Sequence, residues 1–170
     1  MKRPALRVGV AAVALLATVG LGGCSVLSNF LPSSQPVRDA ESGKITEQVD
    51  NADVFSLRVG DCLNSAALTA EELTSIPVVP CDLAHDDEVF HSLTLDEAAY
   101  PGDDEIARIA DVACRSPFRE FVGVSFDQSA LDFWPMTPTS SSWANGDREV
   151  LCIAFDPAGK VTGSLAGAAR

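Results

Sequence analysis

Four cysteines in the body of the chain, Cys62, Cys81, Cys114 and Cys152, constrain its fold more than any other feature. Their number is even. None belongs to a C-x-x-C, the spacing expected of a zinc ribbon or a thioredoxin-type redox pair. Their chemistry depends on compartment, because disulfides persist outside the reducing cytosol. The amino terminus addresses that. Lys2, Arg3 and Arg7 precede an uncharged apolar run from Val8 to Gly20, the layout of a secretory leader. In an exported chain the four cysteines are read as two structural disulfides, and three pairings are open at this point.

The fifth cysteine, Cys24, follows Leu21-Gly22-Gly23 directly. A branched apolar residue, two small residues and a cysteine at the end of such a leader resemble a bacterial lipoprotein signal. That resemblance implies cleavage before Cys24, a diacylglyceryl thioether on its sulfur and acylation of the new amino terminus. Val8–Gly20 is short for a span of about 20 residues. Two or more acyl chains hold a protein stably to a bilayer where one does not. The expected location is therefore the outer face of the cell membrane, with the lipid on Cys24 as the membrane contact.

The leader, residues 1–23, takes three of the 12 basic residues and none of the 24 acidic ones, so the remaining 147 residues carry a net charge of −15. Such a chain repels phosphate backbones and anionic head groups, and nucleic acid is excluded as a partner on that ground. Residues 24–52 read as a flexible tether: serines, Pro32, Pro36 and a charged run from Arg38 to Asp50, without an apolar period. A tether of that length has a root-mean-square reach of about 30 Å. Residues 53–170 read as one domain.

Within that domain Val54–Val59, Ile76–Val79 and Glu88–Leu95 read as strands, and Pro77 suggests an edge. In the third, Val89, His91, Leu93 and Leu95 alternate with Phe90, Ser92 and Thr94. Thr69-Ala70-Glu71-Glu72 has the form of a capping box. Asp103–Cys114 is the clearest helix, with three acids in its first turn and Ile106, Ile109, Ala110 and Ala113 on one stripe. Ser116-Pro117 reads as the start of a second short helix that Gly123 ends. Glu149–Phe155 reads as a strand, Asp156–Gly159 as a turn, and Val161–Leu165 as its hairpin partner. The order predicts an α+β fold: a small antiparallel sheet, one main helix plus a short helix packed on it, and two disulfides.

His85-Asp86-Asp87-Glu88 with His91 is the cluster of metal-ligand types. The histidines are six apart, where a zinc-binding H-E-x-x-H needs four. On a strand, residues 85, 88 and 91 alternate faces and diverge, so no metal is expected. No serine sits in a G-x-S-x-G elbow, no carboxylate pair stands out, and no glycine-rich phosphate loop is present, so no catalytic residue and no cofactor is assigned. Trp143-Ala144-Asn145-Gly146-Asp147-Arg148 is the more pointed segment. Asn145-Gly146 favours a tight turn. Arg148 could clamp a carboxylate or hold the turn, and Trp134 and Trp143 could form a ligand platform or belong to the core. The candidate interaction surface is His85, Glu88, Trp143, Asp147 and Arg148.

Val59-Gly60-Asp61-Cys62, Val79-Pro80-Cys81, His85–Phe90, Tyr100-Pro101-Gly102, Cys114, Phe118, Pro138-Thr139, Trp143–Arg148 and Val150-Leu151-Cys152 together resemble the actinobacterial septum-formation domain family. The resemblance spans residues 54–167. It implies an exported or membrane-attached protein with a link to cell division and no defining enzymatic activity. The four cysteines carry over as a framework, and His85, Glu88, Trp143, Asp147 and Arg148 as motif positions without assigned roles. The expected pairing is Cys62–Cys81, joining neighbouring strands, and Cys114–Cys152, stapling the main helix to the last hairpin. Cys152 shares a strand face with Val150 and Ala154, opposite Leu151, Ile153 and Phe155, and which face the helix covers stays open. The expected function is a lipid-anchored, non-enzymatic module that binds an envelope protein or cell-wall partner. The alternative is an envelope hydrolase or metal-binding enzyme that uses His85 and Glu88.

Overall fold

The computed structural model describes residues 34–68 and 73–170. The leader, Cys24 and the Thr69–Glu72 capping box lie outside the described residues. The fold is α+β, as expected: a curled antiparallel six-strand sheet with one main helix, a short one and two disulfides. The strands are β1 (Val49–Asp53), β2 (Cys62–Leu63), β3 (Ser75–Val79), β4 (Asp87–Thr94), β5 (Asp132–Met136) and β6 (Glu149–Phe155); the helices are α1 (Asp103–Val122) and α2 (Ser140–Ala144). The strand order is β1-β3-β2-β4-β6-β5.

Side-chain alternation on β6 divides the core. Val150, Cys152 and Ala154 face α1, where they meet Ile106, Ala110, Cys114, Phe118 and Val122. Leu151 and Ile153 face the other way, into a cluster with Leu63, Ile76, Val78 and Val89 from the curled sheet and Ile45, Val54 and Leu57 from the segment before β2. The helix thus covers the Cys152 face, and Cys114–Cys152 bridges α1 to β6. Cys62–Cys81 joins β2 to the second residue beyond β3. Both pairings agree with the sequence expectation.

α1 buries a residue at every fourth position from Ile106 to Val122. That stripe runs straight through Pro117. The expected break at Ser116-Pro117 does not occur: one helix continues to Val122, and the short helix of the fold is α2. Proline removes one backbone donor and crowds the preceding turn. Burial of Phe118 and Val122 outweighs this, since a fully buried residue of that kind contributes about 1.5–3 kcal/mol. Phe118 also meets the rings of Phe90, Phe126 and Phe133 at centroid distances of 5.8, 5.5 and 5.7 Å. The stop is as expected: Gly123 is left-handed, φ 95°, and its N–H bonds the Arg119 carbonyl.

Four further expectations are corrected. The segment read as a tether is on the domain from Ser34 onward. Ser34 bridges Ala52, Arg38 bridges Ile45, Ile45 is buried, and β1 lies at the sheet edge. Polar composition concealed this, because the segment is held mainly by backbone hydrogen bonds and one ion pair. Val54–Ser56 is a 3-10 turn, not the start of a strand, with Asp53 accepting from the Phe55 N–H. Pro77 does not mark an edge: β3 is flanked by β1 and β2, and the β1–β3 register shifts opposite Pro77, at a bulge that spares its missing donor. Val161–Leu165 does not form a hairpin with β6. β6 lies between β4 and β5, and the chain after it crosses to bridge Val161 with His85.

Candidate functional site

β2 lies between β3 and β4, and this placement builds the first candidate site. Cys62 stands directly opposite Glu88 on β4, so their side chains are cross-strand neighbours. His85 precedes β4, which begins at Asp87, and bridges Val161 instead. A ring nitrogen of His85, Sγ of Cys62 and a carboxylate oxygen of Glu88 all lie within 4.8 Å of one another. The expected divergence of His85 and Glu88 is therefore corrected. It assumed that both lie on one strand, and the strand begins at Asp87. His91 does lie on β4, past a bulge at Phe90, opposite Cys152. That bulge also breaks the expected common face of Val89 and His91.

All three clustered residues are buried, with His85 at 0% and Glu88 at 4% exposure. His85 is therefore enclosed, and Glu88 is reached only along a concavity, so neither stands out on an exposed surface. Nδ1 of His85 lies 2.8 Å from the Leu83 carbonyl. A carbonyl only accepts, so Nδ1 carries the proton and Nε2 presents a lone pair. Nε2 has no hydrogen-bond partner among the described residues. Glu88 is held by the C-terminal strap: Ser164 Oγ donates to Oε1 and the Leu165 N–H to Oε2, each at 2.7 Å. The nearby hydroxyl thus bonds the carboxylate and not the imidazole. A nucleophile–base hydrogen bond, which acyl-transfer chemistry needs, is not made here.

The Trp143–Arg148 segment also differs from a presented surface. Thr139 caps α2, accepting from the Ser142 N–H, while Ser142 Oγ accepts from the Thr139 N–H. Trp143, on that helix, is 5% exposed and packs against Ile106, Ala110 and Val150. The Arg148 guanidinium stacks 3.7 Å from the Trp143 ring centroid and donates to the Trp143 and Asp147 carbonyls at 2.9 and 2.6 Å. Arg148 holds the turn and clamps no carboxylate among the described residues. Trp143 is core, as one of the two readings had it. Gly146 takes φ 95° after the helix, where a side chain would be strained. Asp147 accepts from Ser142 Oγ and from the Glu149 N–H.

Asp147 lines a groove of about 400 Å³ that the sequence reading did not anticipate. Its apolar lining includes Val54, Phe55, Leu73 and, from β5, Trp134 and Met136; its polar lining includes Ser141, Asp147 and Glu149. Phe55 is 66% exposed. The Trp134 indole donates to Asp87 Oδ1 at 3.0 Å, and Ser65 Oγ donates to Oδ2, which fixes the aromatic wall. Burial pushes the Asp87 carboxyl above its ordinary value, against the lowering effect of those hydrogen bonds. Trp134, not Trp143, is the tryptophan available to a ligand. The signal for its strand was the short aromatic run Asp132–Met136, masked by Pro135.

A second concavity, of about 860 Å³, opens beside the first disulfide. Asp61, Cys81, Glu88 and Ser164 lie along it, with Val59 and Leu83 exposed at its rim.

A family model described as septum formation matches residues 59–168. The match covers both disulfides, the His85–Glu88 turn, Trp134 and the Trp143–Arg148 segment. No curated protein and no solved structure matches the chain.

Proposed function

The chain belongs to the septum-formation family, and from that premise we propose that it is a non-enzymatic binding module of the cell envelope that acts in septum formation during cell division. The family is not a known enzyme family. The observation that carries the binding reading is the groove at Trp134. Its aromatic wall is locked in place by Asp87, so little side-chain entropy is lost on binding. The partner this groove suits offers an apolar side chain to Phe55 and Trp134 and a cation or hydrogen-bond donor to Asp147 and Glu149. The charge of −15 on residues 24–170 likewise favours a cationic partner. An envelope protein or a cell-wall component carrying amines meets these requirements.

The lipid on Cys24 places the module on the outer face of the cell membrane. Because the folded part starts by Ser34, the ten Cα-to-Cα steps from Cys24 to Ser34 span at most about 35 Å even when fully extended. The module therefore works close to the bilayer. Cys24→Ala should release it from the membrane fraction. Mass spectrometry that finds residues 1–23 intact on the membrane-bound form would refute the anchor.

The binding reading is tested at Phe55. Its exposed ring contributes little to the core, so Phe55→Ala should leave the melting temperature nearly unchanged and abolish septal placement. Normal placement of the Phe55→Ala protein would count against the groove. Turnover of peptidoglycan or another envelope substrate by the purified protein, abolished by Glu88→Gln with the fold intact, would establish the hydrolase alternative instead.

A further inference from the structure

We propose that reduction of the Cys62–Cys81 disulfide converts the buried cluster into a zinc site, with the two thiolates, Nε2 of His85 and a carboxylate oxygen of Glu88 as ligands. The inference is independent of the binding groove and goes beyond that reading. It begins with His85. An imidazole that gives its Nδ1 proton to a backbone carbonyl and leaves Nε2 free is oriented as metal-bound histidines are. At 0% exposure, that nitrogen is shut off from bulk solvent and has no protein donor among the described residues. A ring nitrogen of His85 lies within 4.8 Å of the Cys62 sulfur and of a Glu88 carboxylate oxygen. In the disulfide the sulfurs carry no charge, and the set is incomplete. As thiolates they complete a four-coordinate Cys₂-His-Glu set of the donor types zinc takes. Zinc bonds of about 2.0–2.3 Å place tetrahedral ligands roughly 3.3–3.8 Å apart. Cys62, His85 and Glu88, within 4.8 Å of one another, need to approach by about 1–1.5 Å; breaking the disulfide frees Cys62 to make that approach and Cys81 to swing in as the fourth ligand.

Access favours this disulfide over the other. Cys114 and Cys152 are both fully buried, whereas Cys81 lines the second concavity with Glu88. A dithiol reductant attacks through its thiolate at the Cys81 sulfur. The S–S bond breaks and its electron pair leaves on Cys62, beside His85. The second thiol of the reductant then attacks the mixed disulfide, frees Cys81 and leaves the reductant oxidised, a two-electron exchange. Zinc binding displaces the two thiol protons to water. Glu88 keeps its bonds from Ser164 and Leu165, because each carboxylate oxygen has a second lone pair.

The test uses the full chain, reduced anaerobically with excess dithiothreitol, freed of it by gel filtration, and titrated with Zn²⁺ alone. Reduced protein should retain one equivalent of zinc and oxidised protein none. Co²⁺ in place of zinc should give near-ultraviolet thiolate-to-metal absorption. His85→Gln should weaken zinc binding at least about tenfold, Cys62→Ser with Cys81→Ser should abolish it, and Cys114→Ala with Cys152→Ala should leave it intact. Failure of the reduced wild type to bind zinc, equal binding by the oxidised form, or undiminished binding by a folded His85→Gln protein would overturn the proposal. If His85→Gln does not fold, the wild-type cobalt spectrum decides, and absence of the thiolate band refutes the site.

Discussion

Arg38 and Asp61, 23 positions apart, form a two-pronged ion pair: Nη1 meets Oδ1 at 2.6 Å and Nη2 meets Oδ2 at 2.7 Å. The same guanidinium donates to the Gly43 and Ser56 carbonyls. It pins a polar segment, which composition marks as a tether, to the loop before β2. Asp61 is almost fully enclosed, its side chain 3% exposed, and its second oxygen also takes the Arg58 N–H. Removing one partner of such a pair leaves a buried charge without compensation.

Arg38→Ala should therefore destabilise the protein by about 3 kcal/mol. Arg38→Lys should recover only part of this, because an ammonium cannot make the fork. Chemical denaturation measures the loss, and proteolysis should cut first between residues 34 and 48. A midpoint within error of wild type would show that the segment is not held by this pair.

The two disulfides should differ in weight. They close loops with sequence separations of 19 and 38. Chain entropy then gives about 3 kcal/mol for Cys62–Cys81 and about 4 kcal/mol for Cys114–Cys152. Denaturation of the two double-alanine variants should rank them in that order, and unreduced peptide maps should show the two pairings. Free thiols at these positions in the protein purified under oxidising conditions would contradict them.

Asp87 should make stability pH-dependent. Burial holds its carboxyl above the ordinary 3.8, so in the window above that value the folded protein binds a proton that the unfolded chain has lost. Its contribution is thus most favourable below pH 3.8 and declines as pH rises through the folded value. Asp87→Asn should lose this slope: the stability of wild type relative to the variant should fall from acid toward neutral pH. A difference that stays flat, or that rises with pH, would be inconsistent with the burial effect.

Arg148→Ala should cost about 1–2 kcal/mol, from the lost stacking on Trp143 and two lost hydrogen bonds to carbonyls. Trp143 fluorescence should shift as its ring gains solvent. An unchanged melting temperature together with lost septal placement would make Arg148 a contact residue after all.

The parts legible in the sequence were local or countable. Three acids and an apolar stripe mark the start and the buried face of α1 by helix physics alone, and Gly123 marks a helix stop. An even set of cysteines behind an export leader specifies a disulfide framework whatever the fold. The apolar, partly β-branched run Glu149–Phe155 marks β6, and leaves open which of its faces the helix covers. What the sequence left open was decided by contacts between distant residues. Packing of Val150, Cys152 and Ala154 on α1 chose the face of β6 and carried the helix through Pro117. The pair Arg38–Asp61 turned a polar segment into part of the domain. The position of β2 between β3 and β4 brought Cys62 to Glu88, and the return of the chain to Val161 enclosed His85 beside them. Periodicity records which side of an element is apolar. It does not record which element arrives to cover it, because that depends on closure of the whole sheet.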